Sequence, residues 1–125
     1  MILGIGIDIV EIARMDRPSQ NERFYTDFFS DEEQEVFKAC KYAAQTVAGR
    51  FAAKEAVLKA LGLGIGDMPL REISIIKLPS GRPEVRLMGE AKRKAEELGA
   101  KRIHISISHD GAYAIAQAVA EGAEQ

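Results

Sequence analysis

From about Thr46 to Leu61 the chain writes a helix without a polar face. At about 100° per residue, Val47, Phe51, Val57, Leu58 and Leu61 gather on one broad arc, and Ala48, Ala52, Ala53, Ala56 and Ala60 cover the other. A helix apolar on all sides must be covered on all sides, and its alanines let another backbone come close. In a chain of 125 residues this leaves the remaining segments to wrap one central helix. Gly62 supplies its stop. No internal repeat or linker-like shift in composition interrupts the chain, so 1–125 is expected to fold as one domain.

The strands are read from alternation. Met1 to Val10 places Leu3, Ile5, Ile7 and Ile9 on one face and Gly4, Gly6 and Asp8 on the other. Glu11 to Arg17 reads as a short helix ended by Pro18, and Phe24, Tyr25, Phe28 and Phe29 follow at helical spacing. Ser30 with Glu33 forms a capping box, opening an acidic first turn suited to the helix dipole. Ile73 to Leu78 and Glu84 to Leu87 read as a hairpin, Gly89 to Leu98 as a charged helix, and Ile103 to about Ala120 as a second hairpin turning at Asp110-Gly111.

Composition narrows the function classes. The net charge of -2 argues against a general nucleic-acid binder, which needs excess Lys and Arg on one face. Cys40 is the only cysteine, which excludes an intrachain disulfide and a zinc cluster and fits a reducing cytoplasm. No apolar run approaches the roughly 20 residues that span a bilayer, and Asp8 interrupts the longest, so neither signal peptide nor membrane association is expected.

Asp8 is the most informative residue, because a carboxylate inside an apolar strand must be paired, hydrogen-bonded or metal-bound to stay ionised. Gly4 and Gly6 beside it leave space for a ligand; the plainer alternative is an Asp that caps the following helix. Gly4-Ile5-Gly6-Ile7-Asp8-Ile9 is no dinucleotide fingerprint, since Ile9 stands where the third glycine belongs. Arg50, Lys54, Glu55 and Lys59 are the only charges on the apolar helix. They form either two i,i+4 surface pairs or, with Lys54 among the large apolar residues and Glu55 at that arc's edge, the wall of a cleft. Two isolated carboxylates with cations on the same helix suit magnesium and phosphates, with Arg50 able to grip oxygens bidentately. The loop Gly62 to Gly66 lacks the Lys-Ser/Thr of a P-loop and reads as a helix stop whose amides could still meet a ligand. Ser106, Ser108 and His109 lie too close along one strand and turn for a hydrolase triad and read as polar groups lining a ligand or facing solvent; His104 shares the serines' face as a surface residue.

Three segments together resemble the holo-acyl-carrier-protein synthase family: Gly4-Ile5-Gly6-Ile7-Asp8-Ile9, Gly49-Arg50-Phe51-Ala52-Ala53-Lys54-Glu55-Ala56 with Lys59, and Ile105-Ser106-Ile107-Ser108-His109. The resemblance extends over essentially the whole chain. It implies a cytoplasmic transferase of fatty acid biosynthesis that moves 4'-phosphopantetheine from coenzyme A to a serine of acyl carrier protein, releasing adenosine 3',5'-bisphosphate. It also implies an α+β subunit, a single compact domain with a small antiparallel sheet packed on a long buried helix, and a homotrimer with active sites between subunits. Asp8 and Glu55 match the family's magnesium-binding carboxylates, Lys54 and Lys59 its lysines near the coenzyme A phosphates, and Arg50 and His109 positions at the nucleotide end. Ser108, Gly62 and Gly64 match less closely, and Arg14, Arg17 and Arg23 fall where the family's basic surface receives the acidic carrier protein. For such a transfer Glu55 and Lys54 are the expected catalytic residues: Glu55 directly, or a metal-held water, helps deprotonate the serine, and Lys54 stabilises developing charge. The family's basic run before Ala-Gly-Arg-Phe is replaced here by Tyr42-Ala43-Ala44-Gln45-Thr46. The competing expectations are a noncatalytic coenzyme A or nucleotide-binding module and a magnesium-dependent phosphohydrolase.

Overall fold

A computed structural model describes residues 1–16 and 21–124. The alanine-rich segment forms one helix, α3 (Ala44–Ala60), and the other elements are arranged around it. Strands β1 (Ile2–Glu11), β4 (Ala100–Asp110) and β5 (Tyr113–Gly122) form an antiparallel sheet in the order β1-β5-β4. β2 (Ile73–Lys77) and β3 (Pro83–Leu87) form a separate hairpin sheet. Two short helices, α1 (Glu22–Phe28) and α2 (Asp31–Ala39), cap the other side of α3, while α4 (Gly89–Glu97) leads into β4. The expected α+β arrangement is present, with the sheet split in two. Among the described residues no helix is long and apolar enough to cross a membrane.

Register explains how α3 lies on the larger sheet. β1 pairs with β5 so that Gly4, Gly6 and Asp8 stand opposite Ala120, Ala118 and Ala116. This bare face looks inward: Ala114, Ala116, Ala118 and Ala120 are all buried under α3. A Cβ on Gly4 or Gly6 would overlap the carbonyl oxygen of Ala60 or Ala56, respectively. The expectation that these glycines open space for a ligand is therefore overturned. The space they leave is filled by the backbone of α3, because only a strand lacking side chains can approach a helix so closely.

The opposite face of the same sheet carries large apolar side chains into the open. Ile5, Ile7 and Ile9 are 61%, 55% and 60% exposed, with Tyr113 and Ile115 beside them on β5.

On the far side of α3, Phe24, Tyr25, Phe29 and Phe37 pack edge to face and cover the helix. The Ser30 capping box is formed as read, with Glu33 N–H donating to Ser30 Oγ at 3.2 Å and Ser30 N–H donating to Glu33 Oε1 at 2.9 Å. Glu11 to Arg17 departs from its expectation: only a 3-10 turn, Ile12–Met15, forms after β1. Arg17 and Pro18 lie outside the described residues.

Candidate active site

Asp8 and the C-terminal half of α3 meet where β1 runs beneath the helix. Lys59, in the last turn, donates from Nζ to the Ile7 carbonyl at 3.0 Å and to Asp8 Oδ1 at 3.3 Å. The Asp8 side chain is 19% exposed and that of Lys59 53%, so the pair sits at the rim of the packed face. Glu55 lies four residues earlier on the same helix. Its Oε1 is buried and has no hydrogen-bond partner. Burial first, and then the charge of Asp8, push its pKa above the ordinary carboxylate range, with Lys59 pulling partly back. Two carboxylates thus repel each other across a site holding one ammonium. That is the condition a cation relieves.

Among the described residues no three His, Cys, Asp or Glu side chains converge as a metal cluster. The donor set at this place is Asp8 and Glu55. Such a set does not suit a soft metal that needs an all-protein shell. It fits magnesium, which takes one or two carboxylates and completes its octahedron with water and phosphate oxygens. The orphaned Glu55 oxygen is the specific feature that accommodates it.

Lys54 departs from its expectation. It does not face a cleft: its side chain is fully buried, as is that of its partner Glu33. The ammonium donates to Glu33 Oε1 at 2.6 Å, to the Leu70 carbonyl at 2.9 Å and to the Ile73 carbonyl at 2.5 Å. Three donors meet three acceptors, leaving none for a phosphate. Burial lowers the Lys54 pKa to about 8 in spite of Glu33, which raises it. Sequence reasoning saw Glu33 only as half of a capping box. Its second role, paired to Lys54 and accepting Ile75 N–H at 3.2 Å, depends on α2, α3 and β2 meeting in space. No local pattern announces that contact.

The remaining candidates are spread around this centre. Arg50 is half-buried, donating from Nε to the Ile75 carbonyl at 3.3 Å with its guanidinium over the Phe37 ring. Gly62 adopts φ 73° and ends α3 in a Schellman turn, its N–H bonded to Lys59 O and Leu63 N–H to Leu58 O. Gly64 N–H is held by Asp67 Oδ2 at 2.7 Å. Both glycine amides are thus committed within the chain, and the expectation that they meet a ligand is not met. Ser106 and Ser108 are exposed on the outward face of β4, in line with Gln117 and Ile115 of β5 and with Ile7 and Ile9 beyond. His109 has the opposite parity, in the row of Ala114 and Val10, and is exposed two strands away from β1. His104 shares the outward face and meets Glu121 at 3.1 Å. Arg14 and Arg23 are exposed, and Arg23 lies 3.7 Å from Asp27. A groove of about 620 Å³ between β3, α4 and β4 includes His104 but none of Asp8, Glu55 and Lys59.

Comparison with known proteins identifies the family. Residues 4–118 match the family model of the 4'-phosphopantetheinyl transferase superfamily. The chain is 44% identical over 121 residues to the holo-[acyl-carrier-protein] synthase of Natranaerobius thermophilus, covering 95% of this chain and 97% of that one. It is 46% identical to that of Alkaliphilus oremlandii, covering 96% and 99%. Among solved structures, the Plasmodium yoelii acyl carrier protein synthase with ADP bound superposes with a TM-score of 0.91 at 34% identity, covering 99% of this chain and 98% of that one. The Helicobacter pylori holo-[acyl-carrier-protein] synthase in complex with coenzyme A gives 0.82 at 38% identity, covering 94% and 99%. With its sequence and its fold matched nearly end to end, the chain belongs to the 4'-phosphopantetheinyl transferase superfamily, among the holo-[acyl-carrier-protein] synthases.

Proposed function

We propose that Asp8 and Glu55 are the magnesium-binding carboxylates of a phosphopantetheinyl transfer site, and that Lys59 and Arg50 serve the phosphates of coenzyme A. The reaction is transfer of 4'-phosphopantetheine from coenzyme A to a serine of apo acyl carrier protein, yielding the holo protein and adenosine 3',5'-bisphosphate. Its place is fatty acid biosynthesis. The observation that carries the site reading is the buried, unpartnered Glu55 oxygen beside a second carboxylate and an ammonium.

A serine hydroxyl must attack the pyrophosphate β-phosphorus, so the site has to hold the anion, offset its charge and remove one proton. Asp8 and Glu55 would hold magnesium, which would supply Lewis-acid stabilisation of the anion. Lys59, half-exposed at the rim, brings a charge-assisted donor to the same anion. Glu55, directly or through a water at the site, takes the serine proton. Arg50 projects from the same helix three turns before the Schellman stop, and Gly62 contributes by ending α3 just beyond Lys59. Ser108 and His109 at the end of β4 are assigned to the nucleotide end.

The working assembly is a homotrimer whose neighbours complete each site. The support lies in the outward isoleucines of β1, Ile5, Ile7 and Ile9, each more than half exposed and in line with Ile115 and Tyr113 of β5. Arg14 and Arg23 offer positive charge to the acidic carrier protein.

The direct test incubates apo acyl carrier protein with coenzyme A and this protein, with magnesium or with chelator, and weighs the intact carrier by mass spectrometry. Gain of one phosphopantetheine group only with magnesium is the expected result. Binding of coenzyme A without any gain would replace the transferase by a noncatalytic module. Consumption of coenzyme A without carrier would make it a phosphohydrolase.

A further inference from the structure

Lys54 stands one residue before Glu55, is as completely buried as any side chain in the molecule, and reaches no substrate from there. Its surroundings nevertheless bear on the site. The inward sides of α3 are clad in Ala48, Ala52, Ala53, Ala56 and Ala60, all buried. So smooth a surface, without an amphipathic stripe, has little in its own pattern to fix how the helix is turned about its axis. Beside the hydrogen bonds of Arg50 to Ile75 and of Lys59 to Ile7 and Asp8, two buried contacts key it. On one side Gly4 and Gly6 receive the backbone at Ala60 and Ala56. On the other, the Lys54 ammonium is clasped by Glu33 and by the carbonyls of Leu70 and Ile73, where the chain enters β2.

We infer that Lys54 is a positioning residue of the transfer reaction: anchored in the interior by Glu33, Leu70 and Ile73, it sets the rotation of α3 that turns Glu55 toward Asp8. This rests on the reading of Asp8 and Glu55 given above. Successive helix residues stand about 100° apart, so Glu55 lies between the face held by Lys54 and the face laid on β1. A turn of α3 by ~20° would carry a side-chain tip at ~6 Å from the axis through ~2 Å. A shift of that size is enough to spoil an in-line displacement.

The anchor is itself held in place. Glu33 Oε1 accepts from Ser30 N–H as well as from Lys54, and Glu33 Oε2 accepts from Ile75 N–H. Ser30 Oγ, which receives Glu33 N–H, also lies 2.6 Å from Ser74 Oγ. The Phe29 ring lies 5.0 Å below the ammonium. The network therefore ties α2, α3 and β2 at one point, from which the orientation of Glu55 follows.

The test compares Lys54→Met and Glu33→Gln with the parent protein in its native assembly, each assayed well below its own Tm. Readouts are kcat, KM for coenzyme A and the magnesium concentration at half-saturation, with magnesium binding measured separately by calorimetry without substrates. Both variants are expected to lose about 10–100-fold in kcat and to bind magnesium several-fold more weakly, while KM for coenzyme A stays within about twofold. A lowered Tm with parental kcat and parental magnesium binding would reduce the network to a stabilising one and overturn the inference. A tenfold rise in KM confined to Lys54→Met would show Lys54 touching coenzyme A and overturn it equally. Should Lys54→Met fail to fold, Glu33→Gln, which keeps the side-chain shape but withdraws the charge that holds Lys54 and sets an amide donor against Ile75 N–H, decides alone. Glu55→Gln is run in parallel. Parental turnover there removes the site reading itself, whereas an inactive Glu55→Gln beside fully active Glu33→Gln and Lys54→Met removes only the positioning role.

Discussion

Adjacent residues of α3 belong to two carboxylate–ammonium groups with opposite characters. Lys54 and Glu33 are both fully buried, and the three donors of the lysine are all used. Glu55, Asp8 and Lys59 sit at the rim, and there one carboxylate oxygen is buried without a partner. A buried pair survives only if its hydrogen bonds are complete, because desolvation would otherwise exceed the attraction. A site that binds a cation and an anion must keep something unsatisfied until they arrive. The two groups differ in the completeness of their hydrogen bonding rather than in residue types.

The sharpest way to break that comparison is to remove the rim carboxylates. Asp8→Ala or Glu55→Ala is expected to lower transfer by about 10²–10⁴-fold while leaving the far-ultraviolet circular dichroism and the assembly unchanged, as mass spectrometry of the carrier and analytical ultracentrifugation would report. Parental turnover in either would show that the unsatisfied group is not the chemical one. The interior pair should respond in stability as well as in turnover: Glu33→Ala leaves the Lys54 charge buried and unpaired and is expected to cost about 3–5 kcal/mol in urea unfolding. A loss below about 1 kcal/mol would mean that water or a rotamer change compensates the buried ammonium.

Lys59 lies between the two types, since it pairs with Asp8 yet is half-exposed. Lys59→Ala is expected to reduce kcat/KM by about 10–100-fold, the range of a lost charge-assisted hydrogen bond, with little change in Tm. The smallest effect concerns the stability cost of the rim. Burial and Asp8 raise the Glu55 pKa, so between its unfolded value and its folded value the folded state holds more protons, and stability falls as pH rises through that window. The cost is present above the folded pKa and absent below the unfolded one. Glu55→Gln should therefore raise Tm by a few degrees near neutral pH, and the gain should vanish below the ordinary carboxylate range. A Tm unchanged at neutral pH would show that solvent already screens this half-open site.

Much of the fold is legible in local pattern. The capping box at Ser30, the stop at Gly62, the hairpin turn at Gly111 and the all-round apolar helix each follow from steric and hydrogen-bonding rules that act within a few residues. Asp8 and Glu55 were legible for a related reason: each is a charge in an apolar pattern, which needs a partner. Lys54 satisfies the same rule and was misread with them, because the rule demands a partner without saying which. Glu33 was 21 residues away along the chain and already had a local explanation.

The two faces of β1 draw the boundary between sequence and tertiary structure. Alternation by itself determined that Gly4, Gly6 and Asp8 share one side of the strand and the isoleucines the other, since the side-chain period of a strand is two whatever surrounds it. Which side is buried was decided by packing. The ordinary preference would bury isoleucine, yet α3 lies on the glycines, because its alanine surface approaches a backbone more closely than any branched side chain permits. That choice sends Ile5, Ile7 and Ile9 outward and places Asp8 beside Lys59. Periodicity is a property of the local backbone; the pairing of faces depends on every surface competing for the same helix.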